Sequence, residues 1–274
     1  MHRRTLLALP ALGAVGALLA ACGKDAPVRK PDGPGEGRID YGDDPSQYGE
    51  LYLPEGTPRG VVVVIHGGFW KSAYDASLGR PLATSLAAEG WAAWNLEYRR
   101  VGNGGGAPET FDDVAAGIDL LADLDLDTST VVTLGHSAGG HLAAWAATRG
   151  RDQAWPERVP VTAVVSQAGV LDLRSAADDS LGGGAVQALL GHEPTDADDR
   201  YDPVRQLPAG VPLWCVHGVD DAIVPPSQSA SYVEQALAAG DRAELVEVEG
   251  DHFVVIDPTS AAWTRILGIL DTVA

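Results

Sequence analysis

Cysteine is nearly absent. The chain holds only Cys22 and Cys215 in 274 residues, which excludes a disulfide framework. Neither a Cys-x-x-Cys pair nor an H-x-x-x-H pair occurs, so neither of those zinc-binding spacings is present and no metal or cofactor is implied. Basic residues are also scarce. Lys and Arg total 19 against 38 Asp and Glu, a formal charge of −19. Such a surface repels phosphate backbones, so no nucleic-acid partner is expected. No internal repeat is visible. What remains is ample apolar material: 45% hydrophobic and 21% charged residues allow a packed core and exclude global disorder.

The greasiest stretch lies at the beginning. Arg3 and Arg4 precede Thr5–Ala21, an almost wholly apolar run containing Pro10. Basic then apolar is the layout of a secretory signal, and the run is short for a membrane span. Leu19-Ala20-Ala21-Cys22 resembles a bacterial lipobox, in which the cysteine becomes a lipidated N-terminus after cleavage. Residues 1–21 are therefore expected to be a lipoprotein-type signal and Cys22 the lipidation site. The Arg3-Arg4 pair also fits a twin-arginine export signal. Residues 22–37 are rich in Gly and Pro without apolar periodicity, as in a flexible tether. The fifteen of them after Cys22, residues 23–37, span on the order of 20 Å as a coil. The expected location is the extracytoplasmic membrane face, as an exported cell-envelope lipoprotein.

From Arg38 onward, strand and helix patterns alternate. Val61–Ile65 is a continuous β-branched run, as in a strand covered on both faces. Ile39–Tyr41, Glu50–Leu53, Trp91–Leu96, Thr130–Leu134, Val161–Ser166, Pro212–Val216 and Ala243–Val248 also read as strands. Helical patterns cover Ala76–Ala88, Glu109–Leu124, Gly139–Thr148, Ser227–Ala239 and Pro258–Leu270. In Glu109–Leu124, Phe111, Val114, Ala115, Ile118, Leu121 and Ala122 share one face, with Asp112, Asp113 and Asp119 expected off it. This alternation predicts an α/β fold with a mainly parallel sheet flanked by helices. Residues 172–208 break the rhythm and are expected to form a small cap over the carboxyl edge of the sheet. Arg99–Pro108 reads as a glycine-rich loop beside it.

Three motifs carry chemistry. Gly135-His136-Ser137-Ala138-Gly139, between a strand and a helix, is a nucleophile elbow. Its tight turn exposes the Ser137 hydroxyl, and the Ala138 N–H is aimed at the same point. His66-Gly67-Gly68-Phe69-Trp70 follows the Val61–Ile65 strand, where glycines let backbone N–H groups approach a substrate oxygen. A serine hydroxyl needs a histidine to take its proton and a carboxylate to orient that histidine. His252, in Gly250-Asp251-His252-Phe253, is the histidine placed late in the chain. Asp220 and Asp221 compete for the acid. The spacing His-Gly-x-x-Asp-x-x-Val-Pro from His217 to Pro225 favours Asp221, while Asp172 is better placed to open the cap.

Taken together, these motifs resemble the α/β-hydrolase superfamily over Arg38–Ala274. HGGFW with GHSAGGHLA is similar to its kynurenine formamidase (arylformamidase)-like and carboxylesterase group. That resemblance implies Gly68 and Phe69 as oxyanion donors beside Ala138, with Ser137, Asp221 and His252 catalytic. The implied activity is hydrolysis of a small-molecule carboxylic ester, aryl formamide or other amide through an acyl-enzyme. Trp70, with Phe69 and the cap, is expected to shape an acyl or aryl pocket, although an aromatic here fits the core equally. A prolyl-oligopeptidase-like peptidase and a non-catalytic surface lipoprotein are the competing classes. Membrane contact is expected only through the lipid anchor, and the oligomeric state is left open.

Overall fold

The structure, a computed structural model, describes residues 37–273. The expected signal segment, the expected lipidation site Cys22 and all of the expected tether but Gly37 lie outside the described residues. Among the described residues, eight strands form one sheet: β1 (Gly37–Asp40), β2 (Tyr48–Tyr52), β3 (Val61–Ile65), β4 (Ala92–Leu96), β5 (Val131–His136), β6 (Ala163–Gln167), β7 (Leu213–Gly218) and β8 (Ala243–Val248). Their order is β1-β2-β4-β3-β5-β6-β7-β8. Strand β2 runs antiparallel to both neighbours, and β3 to β8 are parallel. Seven α-helices accompany them: α1 (Arg80–Ala88), α2 (Glu109–Asp119), α3 (Ala138–Ala146), α4 (Leu173–Asp178), α5 (Ala185–Leu190), α6 (Ser227–Ala238) and α7 (Ala261–Leu270).

The period of two along each strand divides the core into two layers. Val61, Val63 and Ile65 of β3 join one apolar cluster, together with Phe111 of α2, Leu142 of α3 and Tyr232 of α6. Val62 and Val64 join the other, with Leu82 and Leu86 of α1 and Trp263 and Ile266 of α7. All five residues of β3 are buried. Each such side chain contributes roughly 1.5–3 kcal/mol, so the valine run alone strongly favours a strand covered on both faces.

Helix boundaries follow local backbone chemistry. The stretch expected to be helical from Ala76 splits. Asp75 caps a short 3-10 turn at Ala76–Leu78, and α1 starts after Gly79 with Pro81 in its first turn, where the missing N–H costs nothing. Helix α7 starts late because Ser260 accepts from the Trp263 N–H and caps it. The insertion 172–208 contains α4, α5 and several 3-10 turns. Asp172 caps α4 by accepting from Ser175 N–H. Leu173, Val186 and Leu189 of this insertion are buried in the first core layer, so it is packed onto the body.

Candidate active site

The carboxyl ends of β3, β5 and β7 and the loop after β8 meet at one edge of the sheet. Strand β5 runs into Ser137, whose φ of 56° and ψ of −118° are rare for a residue with a side chain. Such a conformation stores roughly 1–3 kcal/mol of strain and needs its surroundings to hold it. The Ser137 N–H donates to the Gln167 carbonyl at 2.8 Å. A Cβ on Gly135 would lie 2.0 Å from the Gly139 carbonyl oxygen, and one on Gly139 would lie 2.0 Å from that of Ile65. Glycine is therefore required at both positions. Ala138 opens α3, and the first N–H groups of a helix have no intrahelical acceptor.

After β3, the backbone turns through Gly68, Phe69 and Trp70 with φ of 116°, 55° and 55°. This turn passes directly beside the elbow: a Cβ on Gly67 would sit 3.1 Å from Ser137 Cβ. At Gly68 a Cβ would meet the Tyr74 side chain at 2.4 Å. The turn has a buried polar backing. His66 Nδ1–H donates to the Gly67 carbonyl at 2.8 Å, and its ring stacks on Tyr98. His66 Nε2 lies 3.3 Å from Glu97 Oε1 and 3.4 Å from Arg100 Nη1. Arg100 also pairs with Glu97, whose other oxygen accepts the Ala76 N–H. Burial lowers the His66 pKa to about 4, despite the hydrogen bond to Gly67, so the ring is neutral at pH 7.

Trp70 takes the core position and not the pocket wall. Its left-handed backbone carries the indole into the core, fully buried, where Nε1–H donates to His141 Nδ1 at 3.3 Å. It supports the turn from below and does not line a pocket. Phe69 is partly exposed and packs on Gly182 of the insertion, where a Cβ would come within 2.3 Å of the ring. Lys71 Nζ donates to the Gly182 carbonyl at 2.9 Å. The insertion therefore reaches the strand-end face through Phe69 and Lys71. The loop at 99–108 is tied to the same turn, with Val101 N–H donating to the Trp70 carbonyl and Ser72 N–H to that of Val101.

The acid and base candidates meet after β7 and β8. His252 Nδ1 lies 2.6 Å from Asp221 Oδ2. The carboxylate can only accept, so Nδ1 carries the proton, and in the neutral ring Nε2 presents a lone pair. Asp221 Oδ1 accepts from the N–H groups of Ile223 and Val224 at 2.8 and 2.9 Å. Burial pushes the Asp221 carboxyl up, but hydrogen bonds from His217, His252 and these two N–H groups outweigh it. They hold it well below the usual carboxylate range. Asp220 is exposed and takes no part in this contact. Gly218 lets the His252 loop close on β7, since a Cβ there would lie 2.4 Å from the Gly250 carbonyl oxygen. His136, which precedes Ser137, donates from Nε2 to the His252 carbonyl at 2.9 Å. Burial, and next the charge of His252, lower the His136 pKa to about 3.

The remaining acid candidate, Asp172, is structural, and so is Cys215. Asp172 is a helix cap, and Cys215 is buried with its thiol pushed up to about 12 by burial. Tyr74, Val219, Ile223 and Phe253 are exposed apolar side chains on the loops around the strand-end face. A groove of about 780 Å³ bounded by Thr130, Thr162, Trp214 and Arg242 lies at the opposite, amino ends of β5 to β8, away from Ser137. Among the described residues, no three His, Cys, Asp or Glu side chains come together as a metal-holding group.

A doubly covered parallel sheet, a strained serine after its fifth strand and a His–Asp pair beyond its seventh and eighth are the architecture of an α/β-hydrolase. Within that class the chain belongs to the BD-FAE family, which matches residues 50–236. It is 28% identical over 231 residues to the esterase LipC of Mycobacterium tuberculosis, covering 77% of this chain and 57% of that protein. It is 27% identical over 236 residues to the isoprenylcysteine alpha-carbonyl methylesterase ICME of Arabidopsis thaliana, covering 77% and 55%. The chain thus spans little more than half the length of these curated relatives. A butyrate-bound esterase of the planctomycete Thermogutta terrifontis superposes with a TM-score of 0.70 at 25% identity, over 88% of this chain and 94% of that one. A truncated carbohydrate esterase from gut microbiota shares the fold with a TM-score of 0.72 at 20% identity, over 86% and 94%.

Proposed function

We propose that the protein is a serine-dependent carboxylic ester hydrolase. Ser137 Oγ attacks the ester carbonyl carbon while His252 Nε2 takes its proton. Asp221 holds the imidazole in the required tautomer and stabilises the imidazolium. Negative charge gathers on the carbonyl oxygen, and the N–H groups of Gly68, Phe69 and Ala138 receive it, each worth roughly 3 kcal/mol in the transition state. The C–O bond to the leaving alcohol then breaks, and His252 returns the proton to the departing oxygen. Water, deprotonated by the same imidazole, attacks the acyl-enzyme. The acid leaves and Ser137 regains its proton.

The observation that carries this reading is the 2.6 Å contact between His252 Nδ1 and Asp221 Oδ2 beside a serine in a strained elbow. The names of the curated relatives support an ester as substrate. The butyrate in the T. terrifontis esterase supports a short acyl chain. A fluorophosphonate probe should label the wild type and not Ser137→Ala. Hydrolysis of p-nitrophenyl acetate and butyrate should exceed that of aryl formamides and dipeptide anilides. Labelling of both proteins, or turnover of anilides alone, overturns the proposal.

We further propose that the enzyme acts on the extracytoplasmic face of a membrane, anchored through Cys22. The lipobox-like Leu19-Ala20-Ala21-Cys22 after an apolar run supports this. In a bacterial host the full chain should sediment with membranes, and Cys22→Ser should release it. Equal distribution of both proteins overturns the anchor.

A further inference from the structure

Asp221 Oδ2 serves two imidazoles. His252 Nδ1 approaches it at 2.6 Å, and His217 Nε2 approaches the same oxygen from the sheet side at 3.1 Å. His217 Nε2 also lies 3.0 Å from the Val224 carbonyl oxygen, and His217 Nδ1 lies 2.7 Å from Ser229 Oγ. A carbonyl oxygen can only accept, so Nε2 carries the proton. Nδ1 is then an acceptor, and the Ser229 hydroxyl donates to it. One tautomer satisfies every partner. His217 and Ser229 are buried, so no water competes for these bonds.

We infer that His217 is a positioning residue of the proposed hydrolysis, clamping the Asp221 carboxylate between the rigid strand β7 and His252. The inference rests on the serine-hydrolase reading above. His217 lies in the strand, four residues before the acid, and grips the acid loop at Asp221 and at Val224. It thereby transmits the rigidity of the sheet to a loop whose other residues, Val219, Asp220 and Ile223, are exposed. It also draws negative charge from the oxygen that faces His252. A carboxylate with fewer donors holds an imidazolium more tightly. Loss of the His217 N–H should therefore raise the pH at which His252 becomes a free base.

Other titratable groups surround the pair. His136, from β5, lies with its ring 4.5 Å from that of His252 and is held neutral by burial. Cys215, on β7, is a buried thiol. Helix α6 presents the neutral Ser229. Asp220 and Asp251 are exposed carboxylates on the two loops.

The test is the pH profile of kcat/KM for p-nitrophenyl butyrate in the full-length enzyme. His217→Phe keeps the ring and removes the donor. Its acid limb should move up by at least half a pH unit, and kcat should fall ~10–100-fold with KM within about threefold. His217→Gln, whose Nε2 can reach the same oxygen, should bring the limb back and recover at least tenfold of the lost kcat. A folded His217→Phe enzyme with an unmoved limb overturns the inference. Should that variant fail to fold, ¹⁵N chemical shifts of the wild-type His217 ring decide alone: a protonated Nε2 and bare Nδ1 at pH 7 support the clamp, and the reverse tautomer overturns it. Ser137→Ala, assayed alongside, separates the two claims. If it still hydrolyses the ester, the serine reading fails. If it is inactive while the His217→Phe limb stays in place, only the clamp fails.

Discussion

His136 Nε2 donates to the main-chain carbonyl of His252 across 2.9 Å. The residue preceding the elbow serine thus holds the loop that carries the imidazole, although 116 positions separate the two. Removing that donor leaves a buried carbonyl unpaired and frees the loop. His136→Ala should lower kcat by about 10–100-fold with little change in KM, since a misplaced base costs rate and not ground-state binding. Steady-state kinetics on p-nitrophenyl butyrate would check this, and a matching rise in KM would count against it.

Two adjacent carboxylates, Asp220 and Asp221, differ sharply in environment. Asp221 takes four hydrogen bonds, while Asp220 faces solvent. Asp221→Asn should lower kcat by on the order of 10³–10⁴-fold, because an amide can donate to His252 and favour the wrong tautomer. Asp220→Asn should stay within about twofold. Comparable losses in both variants would show that the acid had been misassigned.

Why the site was legible lies in its backbone. Gly135, Gly139 and Gly218 sit where main chains approach too closely for a Cβ, so the packing requirement leaves a mark in the sequence itself. The valine run of β3 and the periodic face of α2 record burial in the same local way. The course of the Trp70 side chain leaves no such mark. A residue after His-Gly-Gly-Phe reads equally as pocket wall or core, and only the positive φ and the facing His141 decide it. His217 was recognised as preceding the acid loop, but its grip on Asp221 depends on Ser229 from a different helix. Tertiary partners of this kind carry no fixed spacing. The early stop of α2 and the late start of α7 arise similarly, from caps and 3-10 turns that periodicity does not resolve.

Three buried rings set an acid limit on the fold. Burial lowers the pKa of His66, His136 and His141 from 6.5 to about 4, 3 and 4. The unfolded chain binds protons at these sites below pH 6.5, whereas the folded protein does not. Their stabilising effect is complete above pH 6.5 and is lost as the pH falls toward 4. Each ring should contribute on the order of a few kcal/mol to that loss. Urea unfolding at pH 7.0, 6.0 and 5.0 should show falling stability with proton uptake on unfolding. A flat profile over that window would contradict the neutral, buried state of the rings.

Asp202 titrates in the opposite sense. It is buried, and its Oδ2 has no hydrogen-bond partner among the described residues. Burial raises its pKa from 3.8 to about 7. The charge of Asp172 adds to the rise, against a hydrogen bond from Leu173 N–H. The folded state therefore keeps this proton where the unfolded chain has released it. The contribution is complete below pH 3.8 and disappears as the pH rises through 7. Asp202→Asn cannot ionise and retains a carbonyl oxygen for the Leu173 N–H. Relative to wild type it should gain stability steadily between pH 5 and pH 8, by on the order of 2–3 kcal/mol at the upper end. Taking the difference between the two proteins removes the histidine contribution common to both. A difference that stays constant between pH 5 and pH 8 would mean that Asp202 is ionised in the folded protein throughout.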